Sequence, residues 1–202
     1  MKDRHFKTNQ NETVRLYQNG FLEFFTHTTP IFSLSIYVPM GLFLLWQTLI
    51  APVHLALTLG WLMVGFLSWI PLEYLLHRIL LHRPIRVISL LQRHALEFHK
   101  AHHLFPKDVS RLLNPPVYVF LVLSALYGLA FIGFRTATHP LFLGLLSSFV
   151  LYDFLHYFYH LRPFSNPVLR KLKRHHLAHH YADPQRRFGV LTTFLDRLLK
   201  TY

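Results

Sequence analysis

Four clusters of histidine are the residues of this chain best suited to chemistry, and they hold ten of its sixteen histidines. Residues three or four apart lie on one face of an α-helix, so each cluster with that spacing presents a common face. A neutral imidazole is a good ligand for iron, zinc, copper or nickel and a poor one for magnesium or calcium. The candidate metal ligands are His77, His82, His99, His102, His103, His156, His160, His176, His179 and His180.

The number of clustered histidines predicts two metal ions. One ion takes about three to five protein ligands, so ten histidines suit two ions with about five each. His77 and His82 do not follow the helical spacing, because residues five apart lie about 140° apart on an ideal helix. Either the helix end is bent there, or the two serve different ions. The other histidines are interpreted as ordinary polar side chains: His5, His27, His54, His94, His139 and His175.

Carboxylates near the clusters are candidates for orienting the histidine rings. A ligating histidine commonly donates its second ring N–H to a carboxylate or a carbonyl. Asp153 lies three residues before His156, Asp183 lies three residues after His180, and Asp196 is the third candidate. The alternative for each is a helix cap or an ion pair with a nearby arginine or lysine.

Composition narrows the chemistry that the chain can perform. Its 202 residues suggest a single domain, 1–202. The chain has no cysteine, which excludes disulfides, thiolate metal sites and iron–sulfur clusters. No Ser-His-Asp arrangement, phosphate-binding loop or dinucleotide fingerprint is present. The formal charge of +12 makes nucleic acid the first partner to consider, but the placement of the charges argues against it.

Long uncharged stretches predict an all-α integral membrane protein. The 49 residues from Phe24 to Leu72 contain no Asp, Glu, Lys or Arg, which is enough for two spans of about 20 residues. A turn is expected at Ala51-Pro52, since proline breaks a helix interior. With two later uncharged runs, the predicted order is a polar tail at 1–23 and spans at about 31–50, 53–76, 117–134 and 140–159. A buried helix bundle is the alternative.

The basic residues are distributed asymmetrically over these four predicted transmembrane helices. If the helices form two hairpins, 20 of the 21 basic residues fall on one side, which the positive-inside tendency makes cytosolic. Both termini and all four histidine clusters lie on that side. The prediction is therefore a cytosolic-side helical cap that holds the metal site. Its basic surface would face anionic lipid headgroups rather than nucleic acid.

The segments that contain the histidines resemble those of the fatty acid hydroxylase (sterol desaturase-like) superfamily. These segments are H-R-I-L-L-H, H-K-A-H-H, Y-D-F-L-H-Y-F-Y-H and H-L-A-H-H. Between and after them, S-R-L-L-N-P-P at Ser110–Pro116 and F-G-V-L-T-T-F-L-D at Phe188–Asp196 are similar to segments of the fatty acid 2-hydroxylase, or sphingolipid alpha-hydroxylase, branch. The resemblance covers about residues 70–200.

The resemblance implies a four-span membrane monooxygenase with a dimetal centre on the ten histidines. Iron is expected in the active form, although zinc can replace it in purified protein, and O2 is the co-substrate. One oxygen atom is expected at carbon 2 of the acyl chain of a lipid or fatty acid. Two electrons are expected from a donor in trans, of cytochrome b5 or ferredoxin type, because no fused donor domain is present.

The lipid is expected to enter sideways from the bilayer, with its tail along the second and fourth spans. Aromatic residues that could line this path are Tyr152, Phe154, Tyr157, Phe158 and Tyr159. Two positions depart from the branch pattern: Leu195 stands where the family usually has tryptophan, and Leu161 where many members have another histidine.

Two other functions remain as alternatives. A carotenoid or sterol hydroxylase or desaturase has similar histidine segments, but the two additional motifs argue against it. A metal-binding or metal-transport membrane protein would place ligands at the bilayer midplane within its spans. The small size and the missing donor domain favour a bacterial inner membrane over the endoplasmic reticulum.

Overall fold

The computed structural model describes residues 13–51, 53–82 and 90–202. Over these residues the regular secondary structure is helical and contains no strand, which confirms the all-α prediction. The predicted turn at Ala51-Pro52 is described only in part. Ala51 ends the preceding helix in an extended conformation, and Pro52 lies outside the described residues.

Eight α-helices follow one another along the described residues. They are α1 (Gly20–Phe24), α2 (Pro30–Ile50), α3 (Leu55–Leu75), α4 (Leu90–Leu104), α5 (Pro116–Phe134), α6 (Thr138–Leu161), α7 (Pro167–Tyr181) and α8 (Phe194–Leu198). A π-helix, Leu76–Leu81, continues α3, and short 3₁₀ turns lie at Val109–Arg111 and Arg135–Ala137. The four long apolar helices lie within a few residues of the predicted spans.

The starts of three helices follow from local sequence. Helices α2, α5 and α7 have proline at their first position, where its missing N–H costs nothing. The Thr29 hydroxyl accepts a hydrogen bond from the backbone N–H of Phe32, and the Asn166 side chain accepts from Val168 and Leu169. These caps satisfy amide groups that a helix leaves unpaired at its start.

Three stretches are long and apolar enough to cross a membrane: Pro30–Ile50, Leu55–Leu81 and Val109–Leu161. The last of these contains both α5 and α6. Large apolar side chains on these stretches are exposed, for example Leu42 and Leu129. Contiguous exposed apolar surface of this kind is typical of contact with lipid. The structure therefore supports insertion into a membrane.

Helices α3 and α6 are packed closely enough to require two glycines. A Cβ atom added to Gly65 would overlap the backbone carbonyl of Leu141, and one added to Gly144 would overlap the carbonyl of Leu62. Small residues of this kind let the backbones of two membrane helices approach each other. Trp69 of α3 and Phe149 of α6 meet nearby, with ring centroids 5.0 Å apart. This contact fixes the ends of α3 and α6 that lead to the histidines.

The described part of the predicted N-terminal tail is anchored to the S-R-L-L-N-P-P segment. The Arg111 side chain is buried, and its guanidinium contacts the Glu23 carboxylate at 2.7 Å and the Thr26 hydroxyl at 3.2 Å. Glu23 also accepts hydrogen bonds from the backbone of Leu16 and Tyr17. The segment therefore lies along the same end of the bundle as the histidines.

Candidate metal centre

The ten predicted histidines come together in two groups of five. The first group contains His77, His82, His99, His103 and His179, and the second contains His102, His156, His160, His176 and His180. Within a group, one nitrogen of each ring lies within 4.8 Å of those of the other four. Each group could hold a metal ion.

Helices α4 and α7 each contribute histidines to both groups. In each H-x-x-H-H segment, the two adjacent histidines belong to different groups. This holds for His102 and His103 of α4 and for His179 and His180 of α7. The remaining ligand positions are supplied by α6 and by the end of α3. Two helices that each reach both groups hold the two sites at a fixed separation.

The π-helix brings His77 and His82 into the same group. Its i→i+5 hydrogen bonding widens the turn, so residues five apart lie nearly one above the other. The rings of His77 and His82 have centroids 5.0 Å apart. Of the two expected explanations for this spacing, the structure supports an altered helix end, and the alteration is a widened turn rather than a bend.

The nitrogen–nitrogen distances fit bound metal ions. In the first group, His99 Nε2 lies 2.9 Å from His82 Nε2 and 3.0 Å from His103 Nε2. In the second, Nε2 of His160 and Nε2 of His176 are 2.9 Å apart. Adjacent ligands at about 2.1 Å from an ion with right-angle coordination are about 3.0 Å apart. Lone pairs that converge in this way repel each other unless a cation lies between them.

Backbone carbonyls fix the tautomer of three of the clustered histidines. Nδ1 of His77 donates to the carbonyl of Phe188 at 2.7 Å, Nδ1 of His156 to Leu112 at 2.8 Å, and Nδ1 of His179 to Arg186 at 2.6 Å. Each bond places the proton on Nδ1 and leaves the Nε2 lone pair free to bind metal. Nε2 of His77 is buried without a hydrogen-bond partner, as expected for a ligand nitrogen.

Burial favours the neutral form of six clustered histidines outside the apolar stretches. Burial, followed by the neighbouring histidines, lowers the pKa of His99, His102, His176, His179 and His180 well below its ordinary value. Burial and then His77 lower the pKa of His82 to about 3. Neutral imidazole is the form that binds metal, so these rings are competent ligands near pH 7.

The three predicted orienting carboxylates contact other groups instead of the ten histidines. Asp153 accepts from the backbone and side chain of Asn114 at 2.9 and 2.7 Å, and from the Tyr37 hydroxyl at 3.3 Å. Asp183 accepts from the backbone N–H of Gln185. Asp196 accepts from Nε2 of His175 at 2.9 Å, a histidine outside both groups. Carbonyls take the orienting role here because irregular backbone lies next to the rings.

Two buried carboxylates act on that backbone. Asp196 accepts from the backbone N–H groups of Phe188 and Gly189, both at 2.9 Å, and from the Thr201 hydroxyl. Glu73 accepts from the backbone N–H groups of Val190 and Leu191. The carbonyl of Phe188, which receives the His77 proton, is thereby held in place. In the sequence, the motif at Phe188–Asp196 indicated that its F-G-V and L-D residues matter here. No motif indicated that Glu73 would hold the same backbone.

The described histidines among those interpreted as ordinary polar side chains lie outside both groups. His27 contacts Ser110, Glu23 and Arg111, and His139 is 2.8 Å from the Tyr127 hydroxyl. His54 is exposed at the start of α3, and His5 lies outside the described residues. His94 contacts the Tyr17 hydroxyl through Nδ1.

A largely apolar cavity of about 450 Å³ is lined in part by histidines of both groups. We call it the acyl cavity. Trp69 and Leu72 of α3, Val119 and Val122 of α5, and Phe149 of α6 are among its lining residues. His77 and His99 of the first group, and His102 and His156 of the second, line the same space.

The acyl cavity agrees in part with the expected lipid path. The second and fourth spans both line it, for example through Trp69 and Phe149, and α5 adds a third wall that the sequence did not indicate. Of the five aromatic residues proposed for that path, Tyr152 lines the cavity. The space is lined mainly by apolar side chains and also by histidines of both groups, so it can receive a hydrocarbon chain next to them.

The fold and the site define a class: a helical protein with membrane-spanning stretches and two all-histidine groups, each able to hold a metal ion, beside an apolar cavity. The fatty acid hydroxylase family model matches residues 62–201, and the chain belongs to this family. The resemblance noted in the sequence is therefore confirmed.

Within this family, the chain is similar in sequence to 2-hydroxylases. It is 32% identical over 193 residues to a dihydroceramide fatty acyl 2-hydroxylase of Arabidopsis thaliana, covering 94% of this chain and 80% of that protein. It is 31% identical to a fatty acid 2-hydroxylase of Rattus norvegicus, covering 93% of this chain and 56% of that protein. These relatives are eukaryotic, which points away from the bacterial inner membrane favoured from the sequence.

A solved structure has the same fold. It is described as full-length scs7p with only the hydroxylase domain visible. The two chains align with a TM-score of 0.81 at 30% identity, over 95% of this chain and 73% of the other.

Proposed function

We propose that the chain is a membrane-bound dimetal oxygenase that hydroxylates the acyl chain of a lipid or fatty acid at carbon 2. The observation that carries this proposal is the acyl cavity, which is lined in part by histidines of both groups. The names of the relatives supply the position of hydroxylation, since both are 2-hydroxylases. The dihydroceramide of the plant relative's name makes a sphingolipid one candidate substrate.

The ten histidines would hold two ions, five ligands to each, and iron is the metal we propose. An all-nitrogen donor set without thiolates or ligating carboxylates suits iron or zinc and excludes magnesium and calcium. When bound, the ions supply the activation of O2 that hydroxylation of an unactivated C–H bond needs. In the overall reaction, the substrate C–H group, one O2, two electrons and two protons are converted to the alcohol and one water. The electrons would come from a protein donor in trans.

The chain itself would position the substrate and exclude water from the reacting carbon. The walls formed by α3, α5 and α6 would hold the acyl tail in extended form, so that one carbon near its head lies against the histidines. The apolar lining excludes water from the reacting carbon, which protects reactive species from side reactions. The carbonyls of Phe188, Leu112 and Arg186 would keep the ligand rings from rotating.

We further propose that α2, α3, α5 and α6 are four spans of one domain covering 1–202, with both termini on the cytosolic side. The short turn at Arg135–Ala137 between α5 and α6 supports a second hairpin within the stretch Val109–Leu161. The helices α4 and α7, which carry six of the ten histidines, would form the cap at the membrane surface.

Expression in a host without 2-hydroxylated lipids would test the activity. Acyl chains released by hydrolysis would be examined by mass spectrometry, with His176→Ala as the inactive control and His54→Ala as the matched active control. We expect 2-hydroxy acids with the parent chain and with His54→Ala, and none with His176→Ala. Oxygenation of sterols or carotenoids, with acyl chains unchanged, would contradict the proposal.

A further inference from the structure

A second cavity of about 480 Å³ lies next to the acyl cavity and has a different chemical character. We call it the polar cavity. Its lining includes three cationic side chains, Arg15, Arg93 and Lys100, and one carboxylate, Glu97. Tyr17 and His94 line both cavities. The two spaces therefore meet at the Tyr17–His94 pair, whose rings are 5.0 Å apart between centroids.

The polar cavity lies where the headgroup of a bound lipid is expected to lie. If carbon 2 lies at the histidines, the carboxyl carbon is its immediate neighbour, so the head of the lipid begins within a few bonds of them. The tail would occupy the part of the acyl cavity lined by Leu126, which is about 15 Å along α5 from Pro116. The acyl cavity is also lined by Tyr17, His94 and Ala95, and the first two of these residues line the polar cavity as well.

The charges of the polar cavity favour an anion. The Arg15 guanidinium is fixed by two backbone carbonyls, those of Tyr17 at 2.8 Å and Gln18 at 2.7 Å. Lys100 pairs with Glu97 at 2.8 Å, but both side chains are about half exposed, and such pairs contribute little. Three cations against one carboxylate leave an excess of positive charge. Guanidinium groups bind phosphate and carboxylate oxygens through paired hydrogen bonds.

We propose that the polar cavity is the headgroup subsite of the enzyme and that it takes a headgroup with an anionic oxygen group, such as a phosphate. This inference rests on the proposed function, because it takes the acyl cavity to hold the tail. Free phosphate could bind to the same cationic side chains, so the experiment must distinguish a phosphate headgroup from free phosphate. Arg15 and Arg93 would bind the anion, while Tyr17 and His94 would lie beside the linkage between head and tail.

Binding to the full-length protein with its metals, in neutral detergent, would test the subsite. The probes are a lysophosphatidic acid and the monoacylglycerol with the same acyl chain, which differ only in the phosphate. We expect the phosphate lipid to bind about five-fold more tightly or better at low salt. The double variant Arg15→Gln/Arg93→Gln should lose this preference and keep its affinity for the monoacylglycerol. The matched control is Arg170→Gln/Lys171→Gln, which removes two exposed charges of α7 and should keep the preference.

Three results would overturn the subsite. They are equal affinities of the parent protein for the two lipids, a preference that survives in the double variant, and displacement of the phosphate lipid by inorganic phosphate at similar concentration. The third would assign the cavity to free phosphate. Product analysis of the parent chain is separate: absence of any 2-hydroxy acid would contradict the proposed function, whereas the binding comparison would still decide what the polar cavity recognises.

Discussion

At the scale of single residues, the site depends on histidine rings that are held in one orientation and kept neutral. Main-chain carbonyls accept the Nδ1 protons of His77, His156 and His179, so the opposite nitrogens converge. A ring that could rotate would lose part of the affinity for an ion, because the chain would have to order it on binding. The two groups share α4 and α7 but have no histidine in common, so they can be tested one at a time.

Removing one histidine from each group should remove one ion at a time. We expect His179→Ala to lose the ion of the first group and His176→Ala the ion of the second, each lowering the metal content of purified protein by about one ion per chain. Metal content would be measured by plasma mass spectrometry. His139→Ala removes a buried histidine outside both groups and should leave the content unchanged. Loss of both ions from either single variant would mean that the groups are not independent.

Stability of the metal-free protein should fall as the pH is lowered. The pKa of His82 is lowered by burial to about 3 in the folded chain, against about 6.5 when unfolded. Between these values the unfolded chain binds more protons, so stability rises with pH across this window and is lost on acidification. We expect the unfolding temperature after chelation to drop from pH 7 to pH 5. The drop should be smaller in His82→Gln, and an equal drop in both would contradict this assignment.

The ten clustered histidines were predictable because their spacing is local. His99 and His103, or His176 and His180, meet on one helical face whatever the fold around them. The orienting groups were not predictable in the same way. The hydrogen bond that His77 donates to the Phe188 carbonyl and the one that the Val190 N–H donates to Glu73 each join residues more than 100 positions apart. Backbone carbonyls, moreover, carry no signal in the sequence.

At the scale of helices, the contact between α3 and α6 should not tolerate larger side chains. We expect Gly144→Val to destabilise the protein by about 1–3 kcal/mol or more, because the added atoms meet the backbone at Leu62 and Phe66. The measurement is thermal unfolding in detergent. Gly128→Val in α5 is the matched control, since nothing lies within 4 Å of a Cβ added there. Equal effects of the two substitutions would show that helix propensity, and not close packing, is responsible.

The C-terminal segment should depend on Asp196. Burial alone would raise the pKa of this carboxyl, but hydrogen bonds from His175, Gly189, Thr201 and Phe188 lower it below the ordinary value. We expect Asp196→Asn to lower stability by about 1–3 kcal/mol, because the new amide group faces donors. Thermal unfolding would measure the loss. Asp183→Asn, which keeps an acceptor for the N–H of Gln185, should be nearly neutral, and a similar loss there would contradict the prediction.

The extents of the long helices were predictable from uncharged runs, but their neighbours were not. Helix α5 is apolar on all sides, so its sequence does not indicate which face meets the cavity. For this reason the contribution of Val119 and Val122 to the cavity wall emerged only from the structure. The five-residue spacing of His77 and His82 indicated an irregular helix end, because a regular α-helix cannot place such residues on one face. The structure has a π-helix there, at Leu76–Leu81.

At the scale of the whole molecule, the charge distribution predicts which side of the membrane each turn occupies. In the proposed four-span arrangement, 20 of the 21 basic residues in the sequence would lie on the side of α4 and α7, with Arg135 as the exception. Cytosolic segments retain lysine and arginine, so the histidine cap should face the cytosol and the turns near His54 and Thr136 should face the other side. Four spans satisfy this arrangement, and three would place α7 and the N-terminal segment on opposite sides.

Single cysteines can test this arrangement cleanly, because the chain contains none of its own. We expect His54→Cys and Thr136→Cys to react with a membrane-impermeant maleimide on intact cells, and Lys171→Cys to react only after permeabilisation. His54 and Lys171 are exposed, so access to the reagent would report the side of the membrane rather than burial. Modification of Thr136→Cys and Lys171→Cys from the same side would rule out α6 as a span. The histidines of α7 would then lie on the opposite face of the membrane from those of α4, which the four-span arrangement does not allow.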